Sequence, residues 1–187
     1  MKIVASRDGT LIACEQGGRG PHLVLVHGTS AHSLRWELVR PRLEEHFTVV
    51  RMDRRGRGDS GDSPEYAIER EFEDVATVVN SLDAPVLLLG HSIGAVCALE
   101  AAMRTDMLAG LVLYEAPVRQ GESWYPSPDL LERLESLLAI GDREGVIRTF
   151  LAEVPRLSPT KSKCLRPLRR GQAALPRHTH CRESLDH

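Results

Sequence analysis

The run Val86-Leu87-Leu88-Leu89-Gly90-His91-Ser92-Ile93-Gly94 decides how this chain is read. Four apolar residues in a row predict a strand buried on both faces. Residues 95–105 read as a helix. Between them stands G-x-S-x-G, the pattern of a sharp strand-to-helix turn that holds one side chain strained and exposed and tolerates only small neighbours. Ser92 is therefore a candidate nucleophile. A serine hydroxyl attacks poorly without a base, so its partners matter as much as its position.

Working outward, residues 23–26 form a second continuous apolar strand, ending at His27-Gly28-Thr29-Ser30. Residues 47–50 form a third, leading through Met52-Asp53 into a polar, glycine-rich loop over 54–64. Residues 2–5 and 11–15 flank Asp8-Gly9, the signal of a hairpin turn, and 17–21 read as a loop. Residues 36–45 predict a helix that Pro41 disturbs. Phe72, Val75, Ala76, Val79 and Leu82 recur on one face of a helix over 68–82. Residues 111–114 give a further strand. Strands alternating with helices imply parallel pairing with helices on both faces. Beyond these, 128–139 and 142–153 predict two amphipathic helices, separated by Gly141 as a stop and Asp142 as a cap.

After residue 153 the pattern changes. Up to that point there are 16 Lys and Arg against 24 Asp and Glu; from Val154 there are 8 against 2. The local balance moves from −8 to +6 within a chain whose net charge is −2. Pro155, Pro159, Pro167 and Pro176 interrupt the tail, and no strand alternation or long helical face survives. It reads as an irregular, disordered basic segment.

The pieces Val24-Leu25-Val26-His27-Gly28, Met52-Asp53-Arg54-Arg55-Gly56-Arg57-Gly58-Asp59-Ser60 and Leu87-Leu88-Leu89-Gly90-His91-Ser92-Ile93-Gly94 resemble the α/β-hydrolase family over residues 1–153. The resemblance implies an α/β-hydrolase fold, mostly parallel and flanked by helices, incomplete at its C-terminal side. The implied domains are a core over 1–127, lid-like helices over 128–153 and the tail over 154–187. Ser92 would be the nucleophile, and the backbone N–H groups of Ile93 and Thr29 the oxyanion donors. Serine here, where the family's dehalogenases and epoxide hydrolases carry aspartate, implies ester-like acyl chemistry on a small-molecule substrate. Some relatives carry the acid at the end of the next strand, where this chain has Glu115.

The family order is serine, then acid, then histidine. Residues 154–187 show no strand to carry the last two. The expectation is that the frame changes near Val154 or that the chain ends in a foreign segment, leaving the hydrolase crippled. A non-catalytic domain binding a small apolar ligand is the alternative.

A third reading comes from Gly56-Arg57-Gly58-Asp59-Ser60-Gly61, which fits the dinucleotide-binding spacing. That motif must open a helix directly, whereas Asp62, Ser63 and Pro64 intervene here. No cofactor or metal is implied. The charge balance argues against nucleic acid and membrane surfaces. Cys14, Cys97, Cys164 and Cys181 have no framework spacing, so a reduced, cytoplasmic chain is expected. His27 is expected to shape its loop, His91 to pack beside the turn and Asp53 to tie the following loop together. The strand over 111–114, apolar on both faces, is expected to form a sheet edge prone to self-association.

Overall fold

The computed structural model describes residues 1–117 and 128–153. Six strands form one sheet: β1 (Lys2–Ala5), β2 (Leu11–Gly18), β3 (His22–Val26), β4 (Thr48–Met52), β5 (Val86–His91) and β6 (Leu108–Tyr114). Their order is β1-β2-β4-β3-β5-β6. The pairs β3–β4, β3–β5 and β5–β6 are parallel, while β1–β2 and β2–β4 are antiparallel. The helices of this part are α1 (Arg40–Glu44), α2 (Ile68–Asn80) and α3 (Ile93–Ala102).

Alternation along the strands sorts side chains to two faces. Val24, Val26, Val50, Met52, Val86 and Leu88 pack with Phe72, Val75, Val79, Cys97 and Ala101 of α2 and α3. Leu23, Leu25 and Val49 point the other way and pack with Trp36, Leu43 and Phe47. The result is a sheet sandwiched between helical layers, which is the expected mostly parallel α/β class.

Several boundaries differ from the sequence reading, each for a local reason. Gly17 and Gly18 continue β2, paired with Val49 and Thr48, rather than starting a loop. Glu44 and Phe47 lie so close to Gly18 that a Cβ would collide with their backbone, so a strand of glycines is what fits. The helix over 36–45 is split into a 3-10 turn, Ser33–Trp36, and the short α1, which carries Pro41 in its first turn. The hairpin turn is as read: Gly9 has φ +85°, and the Ser6 N–H donates to the Thr10 carbonyl at 2.8 Å.

The chain divides into two compact units, Met1–Glu122 and Ser123–His187. In the second, α4 (Pro128–Ala139) and α5 (Arg143–Glu153) are described. Gly141 has φ +75°. Asp142 caps α5 by accepting the Gly145 N–H at 2.8 Å. Arg133 of α4 pairs with Glu153 of α5 at 2.7 Å. The proposed tail, 154–187, lies outside the described residues, as do Cys164 and Cys181. Among the described residues no helix is long and apolar enough to cross a membrane.

Candidate active site

Ser92 sits between β5 and α3 with φ 54° and ψ −125°, a conformation that non-glycine residues rarely adopt. The turn is forced by its neighbours. A Cβ on Gly90 would stand 2.5 Å from the Ala95 Cα, and one on Gly94 would stand 2.5 Å from the Val26 carbonyl oxygen. Both positions therefore require glycine, and the peptide corner can close only over them. The Ser92 N–H donates to the Tyr114 carbonyl at 3.0 Å, and its own carbonyl accepts from Ala95 at 2.8 Å. The side chain is half-buried and does not cap the helix. Among the described residues its hydroxyl has no hydrogen-bond partner.

Ser92 is one of three non-glycine residues with positive φ among those described; the others are Ser30 and Glu115. All three follow the carboxyl ends of parallel strands β3, β5 and β6. In open α/β sheets ligands bind at that end. Backbone strain collected there makes this end of the sheet the candidate site.

The loop after β3 lies against the turn. A Cβ on Gly28 would be 3.1 Å from the Ser92 Cβ and 3.0 Å from His91 Nδ1. Thr29 follows, exposed. Neither the Thr29 N–H nor the Ile93 N–H has a hydrogen-bond partner among the described residues. Ile93 is the first residue of α3, where an N–H has no intrahelical acceptor. Two amides without acceptors thus stand in the two segments that meet at Ser92, the loop after β3 and the start of α3.

His27 is fully buried and neutral. Its Nε2 accepts the Arg54 N–H at 3.0 Å, so its proton is on Nδ1, which donates to the Gly28 carbonyl at 2.9 Å. Burial pushes its pKa down to about 4. It shapes the loop, as the sequence reading expected. Asp53 ties the following loop together, accepting the N–H groups of Ser33 at 2.6 Å and Asp59 at 3.0 Å. His91 packs edge-on to Trp36 and beside Tyr114, and its Nε2 meets Glu115 Oε2 at 3.1 Å. The Glu115 carboxylate, 65% exposed, therefore has His91 as its imidazole partner among the described residues.

The glycine loop over 56–61 is filled by carboxylates from either side of it. Asp53 stands within contact distance of a Cβ on Gly58, and Asp62 lies 3.0 Å from one on Gly56. No helix opens at Gly61; α2 begins at Ile68. A pyrophosphate would meet negative charge where the dinucleotide motif offers helix amides.

Sequence reading missed the charge network behind this loop. Arg54 donates to Glu71 Oε2 at 2.5 Å, and Arg55 grips both Asp74 oxygens at 2.7 Å. All four side chains are almost fully buried. Tyr66 and Arg57 also donate to Glu71, at 2.8 and 3.2 Å. Burial alone would raise the Glu71 carboxyl; Arg54, Tyr66 and Arg57 more than offset it and hold it below the usual range. The available signal was the spacing of Glu71 and Asp74, which puts both on the same side of α2 as Val75 and Val78.

Buried Cys14 and Cys97 are poor rival nucleophiles, because desolvation pushes both thiols up to about 12. No cluster of metal-ligating side chains occurs among the described residues.

Comparison with known proteins agrees with this architecture. Residues 23–184 match the alpha/beta hydrolase family. That span runs past residue 153, where the sequence reading ended the resemblance. A pimeloyl-[acyl-carrier protein] methyl ester esterase from Methylococcus capsulatus is 31% identical over 87% of this chain and 64% of its own length. An N-formylmaleamate deformylase from Pseudomonas putida is 36% identical over 59% of this chain and 43% of its own. The crystal structure of an alpha/beta hydrolase from Sphaerobacter thermophilus superposes with TM-score 0.77 at 39% identity, covering 87% of this chain and 63% of that one. The chain thus spans less than two thirds of the length of each of these relatives. With the fold, the turn and the family match in agreement, this chain belongs to the alpha/beta hydrolase family.

Proposed function

We propose that the chain carries the nucleophile and oxyanion side of a serine hydrolase for a small ester-like substrate. Ser92 Oγ attacks the acyl carbon as its proton passes to solvent. The ester C–O bond breaks, and the alkoxide takes up a proton and leaves as the alcohol. Water then hydrolyses the acyl-enzyme to the acid and restores the hydroxyl. The N–H groups of Thr29 and Ile93 hold the negative oxygen of each tetrahedral intermediate. The α3 N-terminus adds a favourable dipole at the same point. The observation that carries this reading is Ser92 itself: a strained residue at φ 54°, packed against Gly28, at the start of α3. The ester and formyl groups in the names of two relatives support an acyl substrate.

In this reading the helices over 128–153 keep the lid-like character that the resemblance implies, and Glu115 meets His91. The buried free thiols Cys14 and Cys97 fit a cytoplasmic setting. No imidazole among the described residues reaches the Ser92 hydroxyl, so turnover is expected to be low. In subtilisin, loss of the catalytic histidine alone costs about 10⁶ in kcat. The same observation favours the second reading, a non-catalytic domain that binds a small apolar ligand.

A fluorophosphonate probe separates the two. The hydrolase reading expects slow, site-specific phosphonylation of Ser92 that disappears in Ser92→Ala. An unlabelled chain that nonetheless binds acyl esters supports the second reading.

A further inference from the structure

The peptide joining Gly28 to Thr29 is held from one side by two donors. Its carbonyl oxygen accepts His27 Nδ1–H at 2.9 Å and Arg54 Nη1–H at 3.2 Å. The peptide is trans, as all described peptides are. In a trans unit the carbonyl and the N–H point in opposite directions. Fixing the Gly28 oxygen toward Arg54 therefore fixes the Thr29 proton away from it. Gly28 itself lies against Ser92.

Arg54 is fixed in turn. Its backbone N–H is bonded to His27 Nε2 at 3.0 Å, and its Nε to Glu71 at 2.5 Å. Glu71 is anchored in α2 and takes Tyr66 and Arg57 on its other oxygen. A chain of hydrogen bonds thus runs from a helix on one face of the sheet to a single peptide plane beside the candidate nucleophile.

We propose that Arg54, backed by Glu71, is a positioning residue that sets the orientation of the Thr29 amide for binding an oxyanion. The inference rests on the hydrolase reading of Ser92 and Thr29. An unclamped Gly28–Thr29 peptide can rotate so that its oxygen faces the site, which removes a donor and places a negative dipole where charge develops. Loss of one such donor in a related setting costs about 10²–10³ in rate.

Replacing Arg54 alone leaves the buried Glu71 Oε2 without its donor and only the more exposed Arg57 against its charge, which threatens the fold. The test therefore removes both partners at once, in the paired variant Arg54→Met/Glu71→Leu of the full chain. Arg55→Met/Asp74→Leu is the control. It deletes a neighbouring, equally buried ion pair that does not touch Gly28.

Two readouts are taken. The first is phosphonylation of Ser92 by a fluorophosphonate, resolved into kinact and KI. The second is the carbonyl ¹³C shift of Gly28. The proposal expects the Arg54/Glu71 variant to lose at least about tenfold in kinact with KI unchanged. The Gly28 shift should move upfield in that variant alone. Equal losses in both paired variants overturn the proposal, as does an unmoved Gly28 shift. If the wild-type chain is not labelled, the hydrolase reading fails, and the Gly28 shift then decides the clamp alone.

Discussion

The two sides of the sheet's carboxyl end are built on different principles. Around β3 and β4, the loops are cross-braced by buried polar and charged side chains: neutral His27 and Arg54 hold Gly28, Asp53 holds Ser33 and Asp59, and Glu71 and Asp74 hold the two arginines. Around β6 the packing is open. Val112, Leu113 and Tyr114 are 48%, 37% and 53% exposed, and the His91–Glu115 contact at 3.1 Å joins the strand's end to the turn. The braced side carries the expected oxyanion amide, and the open side carries the carboxylate. Preorganised dipoles lose their value if they must reorient during reaction. In the proposed reading, bracing is thus concentrated beside the amide whose orientation would matter most.

The strongest way to break this contrast is to push the braced side apart. Gly94→Ala places a Cβ against the Val26 and His27 carbonyls. It should cost about 3 kcal/mol or more in urea unfolding. Gly141→Ala, at φ +75° in open space, should cost only about 1–2 kcal/mol, the left-handed penalty alone. Equal costs at the two positions would mean that the corner is not tightly closed.

Acid attacks the same side. His27 is neutral in the fold, with a pKa held near 4 by burial, helped by Arg54 and Arg57 and opposed by the Gly28 carbonyl and Asp53. The unfolded chain binds this proton near pH 6.5, so it is the more protonated state between the two values. Stability should therefore be full above about pH 6.5 and decline by up to about 3 kcal/mol toward pH 4, with no further loss from this group below that. Urea midpoints at pH 7, 5.5 and 4 check this. Glu71 and Asp8, whose carboxyls are held low by their arginines, lose their contributions as pH falls below their unfolded values of about 4.5 and 3.8.

The open side predicts smaller effects. The exposed apolar residues of β6 should promote pairing between chains, read as concentration-dependent sedimentation and relieved by Val112→Lys. A monodisperse monomer at high concentration would count against it. The smallest change is expected for Glu115→Gln. Unfolding free energy should move by less than about 0.5 kcal/mol, as for surface substitutions generally. Ser92 labelling should be nearly unchanged. A loss of about 10⁴ in rate, the scale of removing subtilisin's triad acid, would instead make Glu115 the acid of this site.

This contrast also explains what the sequence disclosed. Strands β3 and β5 and the corner at Ser92 were legible because apolar runs and paired glycines act locally. Gly17-Gly18 misled because glycine signals a loop, and only the approach of Glu44 and Phe47 makes it a strand. Arg54 and Glu71 read as ordinary polar positions. Their pairing depends on how the loop after β4 crosses α2, which spacing along the chain does not encode. Thr29 and Ile93 were placed by resemblance. The reason for the orientation of Thr29 lies in that same long-range pairing.

The most direct test is a crystal structure of the chain with a phosphonate bound covalently to Ser92. The account predicts one phosphoryl oxygen about 2.7–3.1 Å from both the Thr29 and Ile93 nitrogens, with Arg54 still on the Gly28 carbonyl. An adduct whose oxygens all face solvent, or a Gly28–Thr29 peptide turned with its carbonyl toward the phosphorus, would contradict it.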